Sequence, residues 1–384
     1  MSAGSSPSPQ PFRVVIVGGG VAGIEAGLAL RDLAGDRVDL RLLSPSREFV
    51  YRPLTVREPF GFARARRYPT AAVAADLGAE WIEDSLAAVD PVARTVQCRT
   101  EPPIDFDAVL LVLGAQARPR YAHATTIDDR HLDELLHGVI QDVEAGYVNR
   151  LGFLIPARMA WPLPIYELAL MISTRAYDSN VDMAFTIVTP EDTPLAIFGM
   201  EGSRAVAELL AERNIEVITS AYAEVPDSRT VEISPGERRL EFDRVIALPE
   251  LEGPAVPGLP EAPDGFIPVD DHGQVRGLER VYAAGDATDF PVKHGGIAAQ
   301  QADTAAAAIA ALAGAPVEPQ AFRPMVQGML LTGERPVYLS AHLEGGHGSS
   351  SEVSREPPAQ PPRKISAKYL SPYLDERELG ERAS

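Results

Sequence analysis

The sequence predicts an α/β protein of two consecutive strand–helix units, and three observations carry that expectation. An apolar β-branched run breaks into closely spaced glycines near the N-terminus. A second alternation of strands and helices fills residues 151–248. A late strand ends in Gly285-Asp286 before an alanine-rich helix. At the first of these, Arg13 to Val17 is short and apolar, glycines follow at once, and Val21, Ile24 and Leu28 recur at helical spacing up to Gly35. Val38 to Leu43 supplies the next strand, so the opening reads as a βαβ unit. In Gly18-x-Gly20-x-x-Gly23 the first glycine permits the turn, the second lets backbone approach a pyrophosphate, and the third lets helix pack on strand. The helix N-terminus at Val21 and Ala22 adds N–H groups and the positive end of a dipole. A bound dinucleotide is therefore expected on Gly18, Gly20, Val21, Ala22 and Gly23. The acidic residue that usually grips the ribose is due about twenty residues later. Here the second strand ends in Ser44, with Ser46 next, so the expected grip is a hydroxyl contact from Ser44 or one made elsewhere.

The remaining elements follow in order. A Pro- and Arg-rich loop runs from Ser44 to Pro69, short strands from Trp81 to Ile104, and a buried strand from Ala108 to Leu113 that ends at Gly114. Leu132, Leu135, Leu136, Val139 and Ile140 predict a helix from Asp128 to Val143. The second block comprises the strand Leu151 to Ile155, the helix Ile165 to Ile172, the strand Ala184 to Val188, the helix Ser203 to Arg213, and strands near Ile215 to Ile218 and Arg244 to Leu248. A proline-rich crossing, Glu250 to Pro268, leads to Val281-Tyr282-Ala283-Ala284-Gly285-Asp286. The helix Ile297 to Leu312 stops at Gly314 and Pro316. Met325 to Leu331 and Pro336 to His342 flank Gly333 like a hairpin, Gly345 to Pro362 is Ser/Pro/Gly-rich and expected to be disordered, and Lys364 to Leu374 is expected to dock again.

Composition narrows the function. The chain has 384 residues, 45% of them hydrophobic, enough for two or three domains. Its net charge of −19 argues against nucleic acid and anionic membrane surfaces as partners. No apolar run approaches the roughly 20 residues of a spanning helix, and the opening MSAGSSPSPQP lacks the basic and apolar parts of a secretory signal. The expectation is a cytoplasmic protein without a transmembrane segment. Cys98 is the single cysteine, which excludes an intrachain disulfide, a CxxC pair or a thiolate metal site. Redox chemistry must then come from a bound cofactor, and Cys98 itself reads as a small apolar filler in a strand. His131 and His137 are too far apart for an i, i+4 pair, so no metal site is expected.

Through Ala283-Ala284-Gly285-Asp286-Ala287 and the glycine turn, the chain resembles the flavoproteins with two dinucleotide-binding domains, the group of type II NADH dehydrogenases, sulfide:quinone reductases and related pyridine-nucleotide oxidoreductases. The likeness spans about Phe12 to Gly314 and rests on the order of three motifs: the glycine turn, Leu113-Gly114-Ala115 and Gly285-Asp286. It implies two Rossmann-like units, the first discontinuous, with a small C-terminal segment. These are a tail 1–11, an FAD-binding domain 12–127 completed by 256–315, an NAD(P)-binding-like domain 128–255, and a C-terminal hairpin and tail 316–384. It implies FAD, with Asp286 on the ribitol, Gly285 and Gly114 in the cofactor turns, and the backbone of Gly296, Ile297 and Ala298 at the flavin pyrimidine edge. It also brings the Tyr51-Arg52-Pro53 loop, hence Arg52, beside the flavin.

Against that pattern the second unit departs. Where its relatives carry a further GxGxxG, this chain reads Pro156-Ala157-Arg158-Met159-Ala160-Trp161-Pro162-Leu163-Pro164, without glycine and with missing N–H donors, so the usual grip on NAD(P)H is not expected. Sulfide:quinone reductases also lack a working nicotinamide site, yet resemble one another in redox cysteines that Cys98 cannot supply. Glu167 matches a glutamate that lies near the flavin in many relatives, where a buried carboxylate can relay a proton; its other reading is a helix-surface charge. Glu191 stands where an acidic residue meets a ribose, or is a first-turn charge. Lys293 and His294 read either as donors to a reduced flavin or quinone oxygen, or as a solvated pair. Trp161 reads as a stacking ring or as packing, and Arg57, Arg64, Arg66 and Arg67 as an anion-attracting patch or a solvated face. The resulting expectation is an FAD-dependent oxidoreductase with Glu167 and Lys293 as catalytic candidates. A small-molecule redox donor, NAD(P)H among the candidates, passes electrons to an acceptor such as a quinone. A homodimer is among the expected assemblies, and peripheral membrane contact has no support in the Pro324–Leu343 stretch, which reads as a hairpin cover. The alternative is a flavin-binding regulatory or redox-sensing protein without turnover.

Overall fold

The computed structural model describes residues 10–61, 64–157, 161–344, 347–358 and 363–383. Five parallel strands form the first sheet in the order 281–283, 108–111, 12–17, 38–43, 80–82. Numbered along the chain and read from the 80–82 edge this is 3-2-1-4-5, the doubly wound arrangement whose ligand crevice opens where the order reverses, between 12–17 and 108–111. Val17 ends in register with Leu43 on one side and Leu111 on the other. The chain's glycine turn is therefore delivered at that crevice.

Helix α1 (Val21–Ala34) follows the turn, and α2 (Thr70–Asp76) precedes the edge strand. Helix α3 (Leu132–Glu144) buries Leu132, Leu136, Val139, Ile140 and Val143, while Leu135 faces outward at 37% exposed. It starts four residues later than the periodicity suggests because Asp128 holds a turn, its Oδ1 accepting from Arg130 N at 3.0 Å. Helices α4 (Leu163–Asp178) and α5 (Gly199–Glu212) belong to a second five-stranded parallel sheet, in the order 125–126, 244–247, 150–154, 184–188, 215–218. Its strands 150–154, 184–188 and 244–247 are buried nearly throughout, the expected pattern for a parallel sheet covered on both faces.

Helix α6 (Gly295–Leu312) lies against α1 through Ala22, Ala26, Ala29 and Leu30 on one side and Ala298, Ala302, Ala305, Ala306 and Ile309 on the other. Alanines on both helices let the backbones approach closely, which brings the turns at their N-termini together. After α6 the hairpin of Met325–Leu330 and Val337–Glu344 forms as expected. A third strand, His347–Ser354, pairs with it, where disorder was expected over 345–362; residues 345–346 and 359–362 of that stretch lie outside the described residues. Tertiary contacts order it: Ser351 Oγ donates to Phe198 O (2.5 Å) and accepts from Gly202 N (2.9 Å). Gly348 fits where a Cβ would meet Ile197 O at 2.4 Å. Finally α7 (Leu370–Ala383) docks on α1 and α2, with Ile365, Leu370 and Leu374 packed against Ile24, Val73 and Leu77. Of the expected tail 1–11, residues 1–9 lie outside the described residues, and the first strand begins at Phe12. Among the described residues no helix is long and apolar enough to cross a membrane.

Candidate functional site

The first turn is shaped to admit a ligand's backbone-hugging phosphate. Gly18 has φ +123° and a Cβ there would lie 2.3 Å from Val112 O; at Gly23 it would lie 2.0 Å from Gly18 O. Neither position tolerates a side chain. At Gly20, by contrast, nothing stands within 4 Å of that direction, and Gly114 (φ +71°) is equally open. The first intrahelical bond of α1 runs from Ile24 N to Gly20 O (3.1 Å), so the amides of Val21, Ala22 and Gly23 carry no bond of the helix ladder. Ser44 is buried, its Oγ accepts from Ser46 N at 3.3 Å, and it sits 3.0 Å from where a Gly19 Cβ would project. The hydroxyl thus lines the turn from the neighbouring strand.

The second motif meets the first. Gly285 (φ +74°) packs between α1 and α6, its absent Cβ pointing 3.2 Å from Ala298 Cβ and 3.5 Å from Ala22 Cβ. Gln301, which sequence reading overlooked, fixes this turn: its Oε1 accepts from Gly285 N at 2.8 Å. Asp286 is half-buried, and withdrawal from water raises its pKa to about 6 against the pull of Lys293. Lys293 is tucked beneath, donating to Thr288 O (2.5 Å) and lying 3.9 Å over the Phe266 ring. Burial lowers its pKa to about 8. Its contacts hold the Asp286 turn, so of its two readings the solvated one does not apply.

At the start of α6, Ala298 N already bonds to His294 O (2.8 Å). The expectation that Ala298 offers its amide to a ligand is thereby corrected: Gly295, Gly296 and Ile297 precede the ladder, and Ala298 contributes packing. Arg52 opens the 3-10 turn Arg52–Phe60 with an exposed side chain. Tyr51 is buried, accepts from Ile365 N at 3.1 Å and has its pKa pushed up to about 12 by burial.

Glu167 is fully buried, which excludes the helix-surface reading. Its Oε1 accepts from Leu331 N (2.9 Å) and its Oε2 pairs with Lys364 Nζ (2.5 Å). Burial raises its pKa while the Lys364 ammonium opposes the rise. Lys364 arrives from the far end of the chain, and the next residue, Ile365, packs where a Cβ on Gly295 would come 2.4 Å from its Cδ1. Glu167 is thus linked to the N-terminus of α6 through two residues of the C-terminal segment. That segment is also tied to the first unit: Glu25 on α1 accepts from Tyr369 N (3.0 Å) and Leu370 N (2.5 Å). No motif marks Lys364 in the sequence; the apolar residues Ile365 and Leu370 after a Pro-rich stretch were the available signal.

The turn of the second unit is different. Pro162 caps α4 and Pro164 occupies its first turn, so neither brings an N–H; Ile165 N already bonds to Pro162 O (3.1 Å). Residues 158–160 of this turn lie outside the described residues. Glu191 is engaged by Tyr166 Oη (2.7 Å) and Thr189 Oγ1 (3.0 Å), with Tyr166 wholly buried. Trp161 lies on His294 with centroids 4.4 Å apart and on Phe198 at 5.7 Å, the packing reading. Cys98 is partly buried in an antiparallel sheet, its thiol pKa raised by burial. Arg66 and Arg67 are paired with Glu378 (3.2 Å) and Glu48 (3.3 Å), as a solvated face would be.

Comparison with known proteins agrees with this geometry. Residues 167–311 match the family described as "Pyridine nucleotide-disulphide oxidoreductase". A sulfide-quinone reductase of Aquifex aeolicus (strain VF5) is 26% identical over 259 residues, which are 63% of this chain and 59% of that protein, so the match spans under two thirds of the relative's length. The solved sulfide:quinone oxidoreductase of Aquifex aeolicus superposes with a TM-score of 0.76 at 20% identity, covering 90% of this chain and 87% of the other. A ferredoxin reductase from Rhodopseudomonas palustris gives 0.66 at 18% identity over 87% and 83%, and a NAD-dependent persulfide reductase from A. fulgidus 0.62 at 17% over 88% and 65%.

Proposed function

We infer, from the premise that the chain is a pyridine nucleotide-disulphide oxidoreductase-like flavoprotein, that it is an FAD-dependent oxidoreductase passing electrons from a small donor to an acceptor such as a quinone. The observation that carries the FAD reading is the convergence of two ligand-shaped turns, Gly18–Gly23 and Gly285–Asp286, on the adjoining N-termini of α1 and α6. Residues 12–127 and 256–315 form the FAD-binding unit in this reading, and 128–255 the second unit. The residues fit the group. Gly18, Gly20 and the amides of Val21, Ala22 and Gly23 take the pyrophosphate, Ser44 a ribose hydroxyl, Gly114 and Gly285 the close approaches, and Asp286 the ribitol. Gly296 and Ile297 present amides to the pyrimidine edge, and Arg52 lies at the outer rim. Bound there, a flavin supplies two-electron redox chemistry that no side chain of this protein can perform.

The protein's own part is electrostatics and protons. The α6 N-terminus favours negative charge at its first turn. Glu167 and Lys364 together hold an exchangeable proton out of water, on the carboxylate or the ammonium, beside that turn. Lys293 keeps the Asp286 turn in place.

Several observations speak against NAD(P)H as the donor. The prolines at 162 and 164 remove amides from the place where a second pyrophosphate would be cradled, and Glu191 is consumed by Tyr166 and Thr189. Sulfide oxidation through paired cysteines is not proposed either, since Cys98 is single and burial raises its thiol pKa. A donor without a dinucleotide handle is favoured. Anaerobic mixing of the FAD-loaded protein with NADH, NADPH, sulfide or a quinol tests this. Bleaching by a quinol or another small reductant, with NADH and NADPH inert, is expected; rapid bleaching by NADH overturns the donor assignment, and failure of every reductant removes the enzyme reading.

A further inference from the structure

His294 is not used by the scheme above, and its surroundings are unusual. It occupies the N-cap of α6, is only 8% exposed, and its Nδ1 has no hydrogen-bond partner among the described residues. A buried polar nitrogen left unmatched is costly, which points to a partner that arrives with a ligand. The ring is held in place, with Trp161 against one side at 4.4 Å and Phe198 bracing Trp161 edge-on at 5.7 Å. Its Nδ1–Cε1 edge leans over Gly296: a Cβ there would lie 3.2 Å from Nδ1 and 3.0 Å from Cε1. Gly296 therefore lets the imidazole reach the first turn of α6, beside the amides that precede the helix ladder. Burial, reinforced by the Lys364 ammonium, pushes the imidazole pKa down to about 4, so the ring is neutral at ordinary pH. The positive end of an 18-residue helix and a nearby ammonium together select an acceptor oxygen. A neutral imidazole facing such an oxygen must donate, which fixes the Nδ1–H tautomer.

We propose that His294 is a ligand-binding residue that donates its Nδ1–H to a carbonyl oxygen seated on the first-turn amides of α6, and that this oxygen belongs to the pyrimidine edge of the flavin. The proposal rests on the FAD reading above. Because the donor is fixed before the ligand arrives, it favours whichever form of the ligand carries more negative charge on that oxygen, and so raises the reduction potential. It is a second device, added by a side chain, to the backbone amides of the same turn.

Two measurements on the FAD-loaded full chain test this. In His294→Phe, which keeps an aromatic ring under Trp161 but no donor, the reduced form should be favoured about tenfold less over the oxidised, read as a fall of about 30 mV in the two-electron potential. His294→Gln should recover part of it. An unchanged potential in a His294→Phe protein that still binds FAD overturns the proposal. Nitrogen NMR of His294 in the wild type needs no variant to fold. Loading with FAD should shift Nδ1 within a neutral, Nδ1-protonated ring, and an unmoved signal or the other tautomer contradicts the assignment. A quinone carbonyl offers the same chemistry, so a signal that moves only when a soluble benzoquinone is added to the loaded protein overturns the flavin as the source of the oxygen. Failure of the wild type to bind FAD at all refutes the reading beneath and this inference with it, an outcome distinct from the other three.

Discussion

The two strand-to-helix turns of this protein stand at equivalent places in two similar sheets and offer opposite surroundings to a phosphate. At Gly18–Gly23 the backbone is bare, two of its glycines are sterically obligatory, and three amides face outward without helical partners. At Pro156–Pro164 the described residues bring prolines, a tryptophan packed on His294, and a helix entered through Pro162 and Pro164, neither of which has an N–H to donate. The sheet only offers the crevice; the residues in the turn decide whether a phosphate can enter it. The second unit has become a wall. Its α4 carries Glu167 inward to meet Lys364, and Glu191 is held by Tyr166 and Thr189.

The largest effect that breaks this contrast comes from Gly23→Val. With the Cβ position already 2.0 Å from Gly18 O, the turn must open. FAD affinity, measured by flavin fluorescence on titration, should fall more than about 100-fold, or roughly 3 kcal/mol at 1.4 kcal/mol per decade. Retained affinity would mean that the first turn does not hold the cofactor.

Removing the cation from the wall comes next. Lys364→Met leaves Glu167 buried without its ion partner and should lower the unfolding free energy by about 3–5 kcal/mol in urea titrations. Adding Glu167→Gln should restore most of it; a single variant as stable as the wild type would show that the pair is not formed.

The C-terminal strap provides a pH test. Asp303 on α6 lies near Glu25, and burial together with that neighbouring carboxylate raises its pKa to about 8, with Lys368 opposing; burial raises Glu25 as well. Both carboxyls sit above their ordinary values, so the stability that protonated Asp303 lends is complete below about pH 4 and is lost as pH rises through about 8. Tryptic cleavage at Lys368 should therefore accelerate from pH 7 to pH 9, beyond the change seen with a peptide substrate. Asp303→Asn should cancel the excess, and equal acceleration in both proteins counts against a raised Asp303 carboxyl.

The smallest effect sharpens the second turn. Tyr166→Phe removes one of the two hydroxyls that hold Glu191, leaving Thr189, at a cost of about 1 kcal/mol in stability. It should confer no NADH oxidation, because the prolines remain. Gain of NADH-dependent bleaching would identify Tyr166 alone as the block.

Much of the first unit was legible because its signals are local. A β-branched run, glycines at fixed offsets and a helical period lie within thirty residues, and each is enforced by backbone sterics that read the same in any context. Gly285-Asp286 was legible for the same reason. The helix within 128–143 was visible from its apolar positions, yet its start was not, since Asp128 chose a side-chain turn over the helix. The strand His347–Ser354 was missed because its residues are polar and weakly periodic; contacts to Phe198 and Gly202 order it. The Ala298 amide was misassigned for want of the N-cap, which lies at His294 and spends that donor inside the helix.

What the sequence by itself determined is the glycine turn, the late Gly-Asp turn, the lack of a second cysteine and the loss of donors at residues 162 and 164, all consequences of covalent structure and short-range sterics. What only the tertiary structure decided is which distant residues meet there. Lys364 reaches Glu167, Gln301 holds Gly285, and His294 leans over Gly296 beneath Trp161. Those encounters depend on alanine faces that draw α6 onto α1 and on a strap that returns the chain's end to both units. Burial then gives each group its chemistry by changing what its charge costs, and burial is a property of the packed molecule.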